Sequence, residues 1–154
     1  MNEKTPENHK LKSSKYSGTY QYGSYGDTTQ SGPGGQIKVY AESDDTVLFY
    51  IDVSRGSPSY NMGSLYDKFY VGSDKGVFYK KFKYTDKPCK WSFVFNDSTL
   101  IIETIDDCYD CGFGGNVFAD GTYKKVNFIQ PDYFEDAHGR KIYFAKTKPG
   151  GYLK

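Results

Sequence analysis

Three cysteines are the residues of this chain whose type and spacing could do chemistry. Cys108 and Cys111 lie in the stretch DDCYDCGFGG, and Cys89 precedes them. A structural zinc site needs two paired ligand clusters, but the chain has no second CxxC motif. Of its two histidines, His9 lies near the start of the chain and His138 lies far from the cysteines. The sequence therefore predicts no metal site, and we expect no cofactor.

Redox and catalytic chemistry fit the same cysteines poorly. A thioredoxin-like pair needs CxxC at a helix N-terminus, where the dipole lowers the thiol pKa, whereas Cys111 is followed by GFGG, a poor helix start. A catalytic cysteine needs a partner histidine, and His138 falls in a predicted hairpin turn. Because no nucleophile–base pair can be assembled, we expect a protein that is not an enzyme.

A disulfide is the interpretation that remains. Cys89 precedes the predicted strand KWSFVF, while Cys108 and Cys111 follow the next strand, LIIETI. Antiparallel pairing of these strands brings the two ends together, and closing a loop of about 20 residues stabilises by roughly 3 kcal/mol. Either later cysteine is a partner on these grounds, and one thiol is left over. A stable disulfide predicts an oxidising compartment.

A second candidate site is the loop SRGSPSYNMG (54–63). A loop cation beside hydroxyl, amide and phenol groups has the composition of a protein-contact surface; the alternative is an ordinary solvated loop. The side chains that we expect to bind a ligand or partner are Ser54, Arg55, Ser57, Tyr60 and Asn61.

The elements that must position these residues are β-strands. The 154 residues include 16 tyrosines, 11 phenylalanines and 17 glycines, a composition that favours strands joined by tight turns. In TVLFYIDV (46–53), Val47, Phe49 and Ile51 fall on one face, and Leu48 and Tyr50 on the other. This period of two predicts a strand with one face on a core.

About eight to ten such strands, joined mostly by short loops, predict an antiparallel meander. A meander of this size removes its exposed edges by closing. We therefore predict an all-β, up-and-down β-barrel of about eight strands, lipocalin-like in shape; a two-sheet β-sandwich is the alternative. Residues 1–15 are predicted to be a disordered N-terminal tether, and 16–154 a single barrel domain with a C-terminal hairpin at 134–146.

Net charge and hydropathy limit the classes of partner and the compartments that we expect for this chain. Lys and Arg total 20 and Asp and Glu 19, so nothing indicates binding to nucleic acid or to an anionic membrane. The start, MNEKTPENHKLKSSK, has no apolar segment typical of a signal peptide. Either the protein is cytoplasmic, or the chain begins after a removed export signal. The cysteines favour the second interpretation, which places the protein in the periplasm or at the cell surface of a bacterium. We further expect a monomer whose one membrane contact is a processed, lipidated N-terminus.

The order of motifs SGTYQYG, GGQIKVY, TVLFYIDVSRG, CKWSFVF and CGFGGNVFADGTYKK is similar to that of small exported bacterial β-barrel domains. In these, G-x-Y strands bracket the repeats and a C-x-x-x-F strand precedes a CGFG turn. The resemblance covers about residues 17–125. It implies that Cys89 pairs with Cys111 and that Cys108 is a free thiol. More distantly, the chain resembles periplasmic lysozyme inhibitors and lipocalin-like proteins.

Together these features predict a non-enzymatic extracytoplasmic domain that recognises a protein through loops at one barrel end. An inhibitor of a cell-wall-degrading enzyme is one such function. The alternative is a carrier of a small apolar or carbohydrate ligand in the barrel interior. A packed interior would favour surface recognition, and an open aromatic cavity would favour a carrier.

Overall fold

The computed structural model describes residues 10–27 and 29–152, and nearly all regular structure in them is β. Eight strands form one closed barrel in which each strand pairs antiparallel with the next and the eighth pairs with the first. The predicted up-and-down barrel is therefore confirmed, and the sandwich is not formed. In the described part of the chain, no helix is long and apolar enough to cross a membrane. The barrel strands are β1 (Gly18–Gly23), β2 (Gly34–Ala41), β3 (Thr46–Ser54), β4 (Met62–Gly72), β5 (Lys75–Lys80), β6 (Cys89–Asn96), β7 (Thr99–Tyr109) and β8 (Gly121–Asn127).

The barrel interior is filled by aromatic and aliphatic side chains from alternate strand positions. Phe69 and Phe93 stack with ring centroids 4.0 Å apart, and Phe49 lies 5.7 Å from Phe93 and 6.1 Å from Trp91. Such offset and edge contacts add to the stabilisation from burial. The residues of this cluster with no exposed surface include Ile37, Val39, Val47, Ile51, Leu100, Ile102 and Tyr123. The interior is therefore a packed core.

The two ends of the barrel differ because the connections alternate in length. We call the end with the tight turns the closed end, and the end with the long connections the loop end. A short 3-10 helix, Lys12–Tyr16, packs at the closed end: the Tyr16 ring lies 4.5 Å from Phe95, and its hydroxyl donates to Asp74. The turns of the closed end are residues 42–45, 73–74 and 97–98, and the connections of the loop end are residues 24–33, 55–61, 81–88 and 110–120.

The ordered domain begins earlier in the chain than predicted, because the N-terminal 3-10 helix packs on the barrel. The prediction that the tether extends to residue 15 is wrong for residues 12–15, because Ser13 is fully buried and its hydroxyl donates to the Ser43 carbonyl. The Lys12 amide donates to the Asp44 carboxylate at 2.9 Å. The first nine residues of the predicted tether lie outside the described residues.

The outer face of β3 is buried as well as its inner face, which the period-two pattern did not predict. The cause is the C-terminal hairpin, β9 (Tyr133–Glu135) and β10 (Lys141–Tyr143), predicted at 134–146. Phe134 of this hairpin stacks on Tyr50 with centroids 3.9 Å apart, and Leu48 has no exposed surface. A second apolar cluster thus covers one side of the barrel wall.

The barrel wall is only partly closed between β4 and β5, where the two strands share only three residue pairs. β4 has 11 residues, but only Tyr70, Val71 and Gly72 pair with β5. Residues 62–69 consequently have a strand neighbour on the β3 side alone. The Lys80 ammonium contacts the Asp67 carboxylate at 3.1 Å across this gap. Unpaired strand edges need a cover, and here a loop supplies it, as described below.

The turn of the C-terminal hairpin is organised around the buried carboxylate of Asp136. It accepts hydrogen bonds from the backbone amides of His138 and Arg140, from the Arg140 guanidinium and from the Tyr152 hydroxyl. Burial acts to raise the pKa of Asp136, but the bonds from Arg140 and His138 outweigh it and lower the pKa to about 2.

Replacing Asp136 should therefore change how stability depends on pH. The folded-state pKa of about 2 lies below the unfolded value of about 3.9, so the carboxylate stabilises the fold above pH ~4 and loses this effect as the pH falls toward 2. We expect Asp136→Asn to lower the Tm at pH 7, and the difference from wild type to shrink below pH ~4.

Asp97→Asn is the matched control, because the Asp97 side chain makes no hydrogen bond or ion pair with the described residues. Thermal unfolding followed by circular dichroism from pH 7 to pH 2 checks this. A wild-type protein and an Asp136→Asn variant with parallel pH profiles would contradict the role of the carboxylate.

Candidate functional site

Residues 110–120 connect β7 to β8 and cross the loop end of the barrel. Cys111 is joined to Cys89, at the start of β6, by a disulfide with Cα atoms 4.7 Å apart. On the opposite side, the Gly114 amide donates to the Met62 carbonyl at 3.0 Å, and the Asn61 side-chain amide donates to the Gly115 carbonyl at 2.9 Å. The connection therefore bridges the gap between β4 and β5 at the loop end.

The Phe113 side chain fills the space under this bridge. Its ring lies 5.9 Å from Trp91 in the barrel core. A Cβ atom on Gly63 would approach Phe113 Cγ to 2.2 Å, so glycine is needed there for the close approach of ring and strand. The connection is thus a plug, held covalently at one side and by hydrogen bonds at the other.

The disulfide implied by the resemblance is confirmed, with Cys89 and Cys111 both buried. Cys108 is the free cysteine; it is buried, and its thiol donates to the Asp106 carbonyl. A buried disulfide indicates folding in an oxidising, extracytoplasmic compartment.

A bulge in β7 explains which cysteine bonds to Cys89. Trp91 pairs with Thr104 while Cys89 pairs with Tyr109, so residues 105–108 bulge out of the ladder. Asp106 adopts the left-handed conformation in this bulge, which aspartate tolerates well, and its carboxylate contacts the Lys90 ammonium at 2.6 Å. Cys108 therefore lies within the bulge, next to Tyr109, which pairs with Cys89 at the start of β6, and Cys111 is the cysteine bonded to Cys89.

A cleft of about 910 Å³ opens at the loop end, between the plug and the ends of β1 and β3. Its walls are largely apolar: the Tyr22 ring packs 4.6 Å from the core residue Tyr123, and Phe118 meets Tyr109 edge-on at 5.5 Å. This volume is in the range of small-molecule sites. The cleft is lined by Tyr22, Pro33, Ser54, Arg55, Tyr109, Asn116, Phe118 and Asp120.

The two charged residues of the cleft differ in their engagement. Both carboxylate oxygens of Asp120 accept bonds from Thr104, one from the amide at 2.7 Å and one from the hydroxyl at 2.6 Å. The Arg55 amide donates to the Asn61 carbonyl, but among the described residues no group pairs with its guanidinium. Burial, followed by the charge of Asp120, raises the pKa of Tyr22. The phenol is therefore neutral and a hydrogen-bond donor.

The five residues predicted from the sequence separate into two groups. Ser54 and Arg55 line the cleft. Ser57, Tyr60 and Asn61 do not: the Ser57 amide donates to the Ser31 carbonyl, the Asn61 side chain holds the plug, and Tyr60 is exposed at the loop end.

Sequence reasoning missed the cleft residues outside the 54–63 loop. Tyr22 is the last residue but one of β1, and Phe118 belongs to the connection between β7 and β8. The signal that could have found them is the alternation of strand direction, because every odd-numbered strand of an up-and-down barrel ends at the same rim. Long connections at that rim then mark the open end.

The disulfide should contribute more to stability than the free thiol. We expect Cys89→Ser or Cys111→Ser to lower the free energy of unfolding by roughly 2–5 kcal/mol, because the plug loses its covalent anchor. Cys108→Ser is the control; it should change the free energy of unfolding by less than about 1 kcal/mol, since a hydroxyl can also donate to the Asp106 carbonyl.

Urea unfolding measures these differences, and peptide mapping without reduction identifies the bonded pair directly. A peptide joining Cys89 to Cys108 would show that the bulge assigns the wrong partner. Equal losses for all three variants would remove the special role of the plug anchor.

No protein-family model, curated protein or solved structure matches this chain. The resemblance to exported β-barrel domains therefore stays a prediction. What the protein does must be argued from the loop end itself.

Proposed function

We propose that this protein is a non-enzymatic binding domain that recognises a partner protein through the loop end of its barrel. The observation that carries the proposal is a set of large side chains left exposed at the loop end of the barrel, which we call the rim. The rim consists of Tyr60 (56% exposed), Met62 (62%), Tyr84 (90%), Tyr109 (51%) and Phe118 (46%).

The composition of the rim matches that of a protein interface. Tyrosine, phenylalanine, methionine and arginine are enriched where proteins bind one another, and aromatic anchors carry much of the binding energy. The rim residues come from four different segments of the chain, brought together by the barrel ends. Arg55 lies among them and supplies a cation for a partner.

The loops that carry the rim are held in place before any partner arrives. The disulfide and the Gly114–Met62 bond fix the plug, and the Ser57 amide ties the loop after β3 to the Ser31 carbonyl of the loop after β1. A preorganised surface loses less conformational entropy on binding. The fixed loops therefore support a role in recognition and not only a role in connecting the strands.

The packed interior also supports recognition at the surface. Trp91 and the phenylalanines around it occupy the space that a carrier would leave open. The disulfide supports a protein of the bacterial periplasm or cell surface. There, a cell-wall-degrading enzyme inhibited by the loop end is one class of partner.

A small-molecule carrier is the second candidate, because the cleft itself favours it. An open cleft of about 910 Å³ with aromatic walls is in the size range of small-molecule sites. The packed core restricts such a ligand to the cleft, so the interior pocket expected for a carrier is replaced by a site at the barrel mouth.

A pair of matched double variants tests the rim. Met62→Ser/Tyr84→Ser removes two exposed anchors at the loop end, and Phe128→Ser/Ile129→Ser removes two side chains of similar exposure, 65% and 77%, at the closed end. Immobilised wild type and both variants are incubated with extracellular and cell-wall extracts, and bound proteins are quantified by mass spectrometry.

We expect a protein that wild type and the closed-end variant retain equally and that the rim variant binds at least about tenfold more weakly, because each anchor contributes about 1–2 kcal/mol. Its binding should then be repeated with purified components. If every retained protein binds the rim variant as well as wild type, protein recognition by the rim is wrong.

A further inference from the structure

Arg55 is a cation that the fold positions but does not neutralise. Its backbone is fixed, because its amide donates to the Asn61 carbonyl at 3.0 Å and the next residue, Gly56, has its amide bonded to the Ser54 hydroxyl at 3.0 Å. Its side chain is half-buried at the cleft wall. A guanidinium in such a place, without a carboxylate from the described residues, is a ready donor for an external anion.

The acid of the cleft lining, Asp120, does not neutralise Arg55. The Asp120 carboxylate is held by the amide and hydroxyl of Thr104 and makes no ion pair with Arg55. This arrangement anchors the end of the plug just before β8. It keeps the carboxylate in place and leaves the Arg55 guanidinium available.

Two further polar groups of the cleft have no partner among the described residues. They are the Tyr22 hydroxyl, which is neutral and a donor, and the Asn116 side-chain amide, and both lie on the lining with Arg55. The remaining lining residues are Pro33, Ser54, Tyr109 and Phe118, so most of this part of the surface is apolar. The cleft thus combines donors for a negative group with apolar walls for a larger body.

From this combination we infer that the cleft binds a small amphiphilic anion, whose negative group contacts the Arg55 guanidinium and whose apolar body lies against Phe118 and Tyr109. A bidentate guanidinium contact suits a carboxylate, sulfonate or phosphate group. The inference deepens the small-ligand candidate above. It shares Arg55, Tyr109 and Phe118 with the protein-recognition proposal, but the two can fail separately. The test of protein recognition changes Met62 and Tyr84, which do not line the cleft.

Two fluorescent probes that share one ring system separate the charge from the apolar body. 8-Anilinonaphthalene-1-sulfonate carries an anionic group, and N-phenyl-1-naphthylamine is the same skeleton without it. Fluorescence titration gives the Kd of each probe for wild type and for three variants. Circular dichroism and Tm confirm that every variant is folded.

The variants isolate each part of the site. Arg55→Gln removes the cation of the cleft, and Phe118→Ala removes an apolar wall. Lys124→Gln is the charge-matched control: this exposed lysine on β8 makes no ion pair among the described residues and lies outside the cleft.

We expect wild type to bind the sulfonate more tightly than the neutral probe. Arg55→Gln should weaken sulfonate binding at least about tenfold and leave the neutral probe within about twofold, because a charge-assisted contact contributes more than the 1.4 kcal/mol that corresponds to a factor of ten. Phe118→Ala should weaken both probes, and Lys124→Gln neither.

Three results would overturn the inference. These are equal affinity of wild type for both probes, equal loss of both probes in Arg55→Gln, and no binding of either probe to wild type. None of them affects protein recognition, which the rim variants test separately.

Discussion

The break in the barrel wall between β4 and β5 is the constraint on which the loop end depends. β4 continues for eight residues beyond its pairing with β5, and backbone groups along such an edge need cover or water. Residues 110–120 provide that cover at the loop end. This segment is held over the unpaired start of β4 by the disulfide at Cys111, the Phe113 ring and the Gly114–Met62 hydrogen bond.

The segment 110–120 that covers the start of β4 also forms one side of the cleft. A glycine-rich connection loses much conformational entropy when it is fixed, and a cross-link reduces that loss by restricting the unfolded chain. Once the plug is fixed over β4, its return to β8 passes beside the ends of β1 and β3. Phe118 and Asp120 on this return become walls of the cleft, and the Asp120–Thr104 bonds fix where the return ends. The segment that covers the barrel wall therefore also forms part of the cleft.

Much of the barrel could be predicted from local patterns, because alternation along a strand reports burial of its inner face. The burial of Leu48 and Tyr50 could not, since their cover comes from a hairpin about 85 residues later in the chain. For the site, loop composition indicated Ser54 and Arg55 but not Tyr22 or Phe118, which only barrel closure brings together. Spacing alone left Cys108 and Cys111 equivalent; the bulge of β7, which no local pattern announces, distinguishes them.

The distribution of stabilising contacts supports our proposal that binding occurs at the loop end. The N-terminal helix packs at the closed end through Ser13 and Tyr16, and the C-terminal hairpin covers one side of the wall through Phe134 and the Asp136 network. Both terminal segments therefore serve the barrel as packing elements. The loop end is held by its disulfide, yet it keeps its large side chains exposed and the Arg55 guanidinium unpaired among the described residues. A recognition surface needs side chains that are held in place but not already paired within the protein, because a second molecule must complete their contacts.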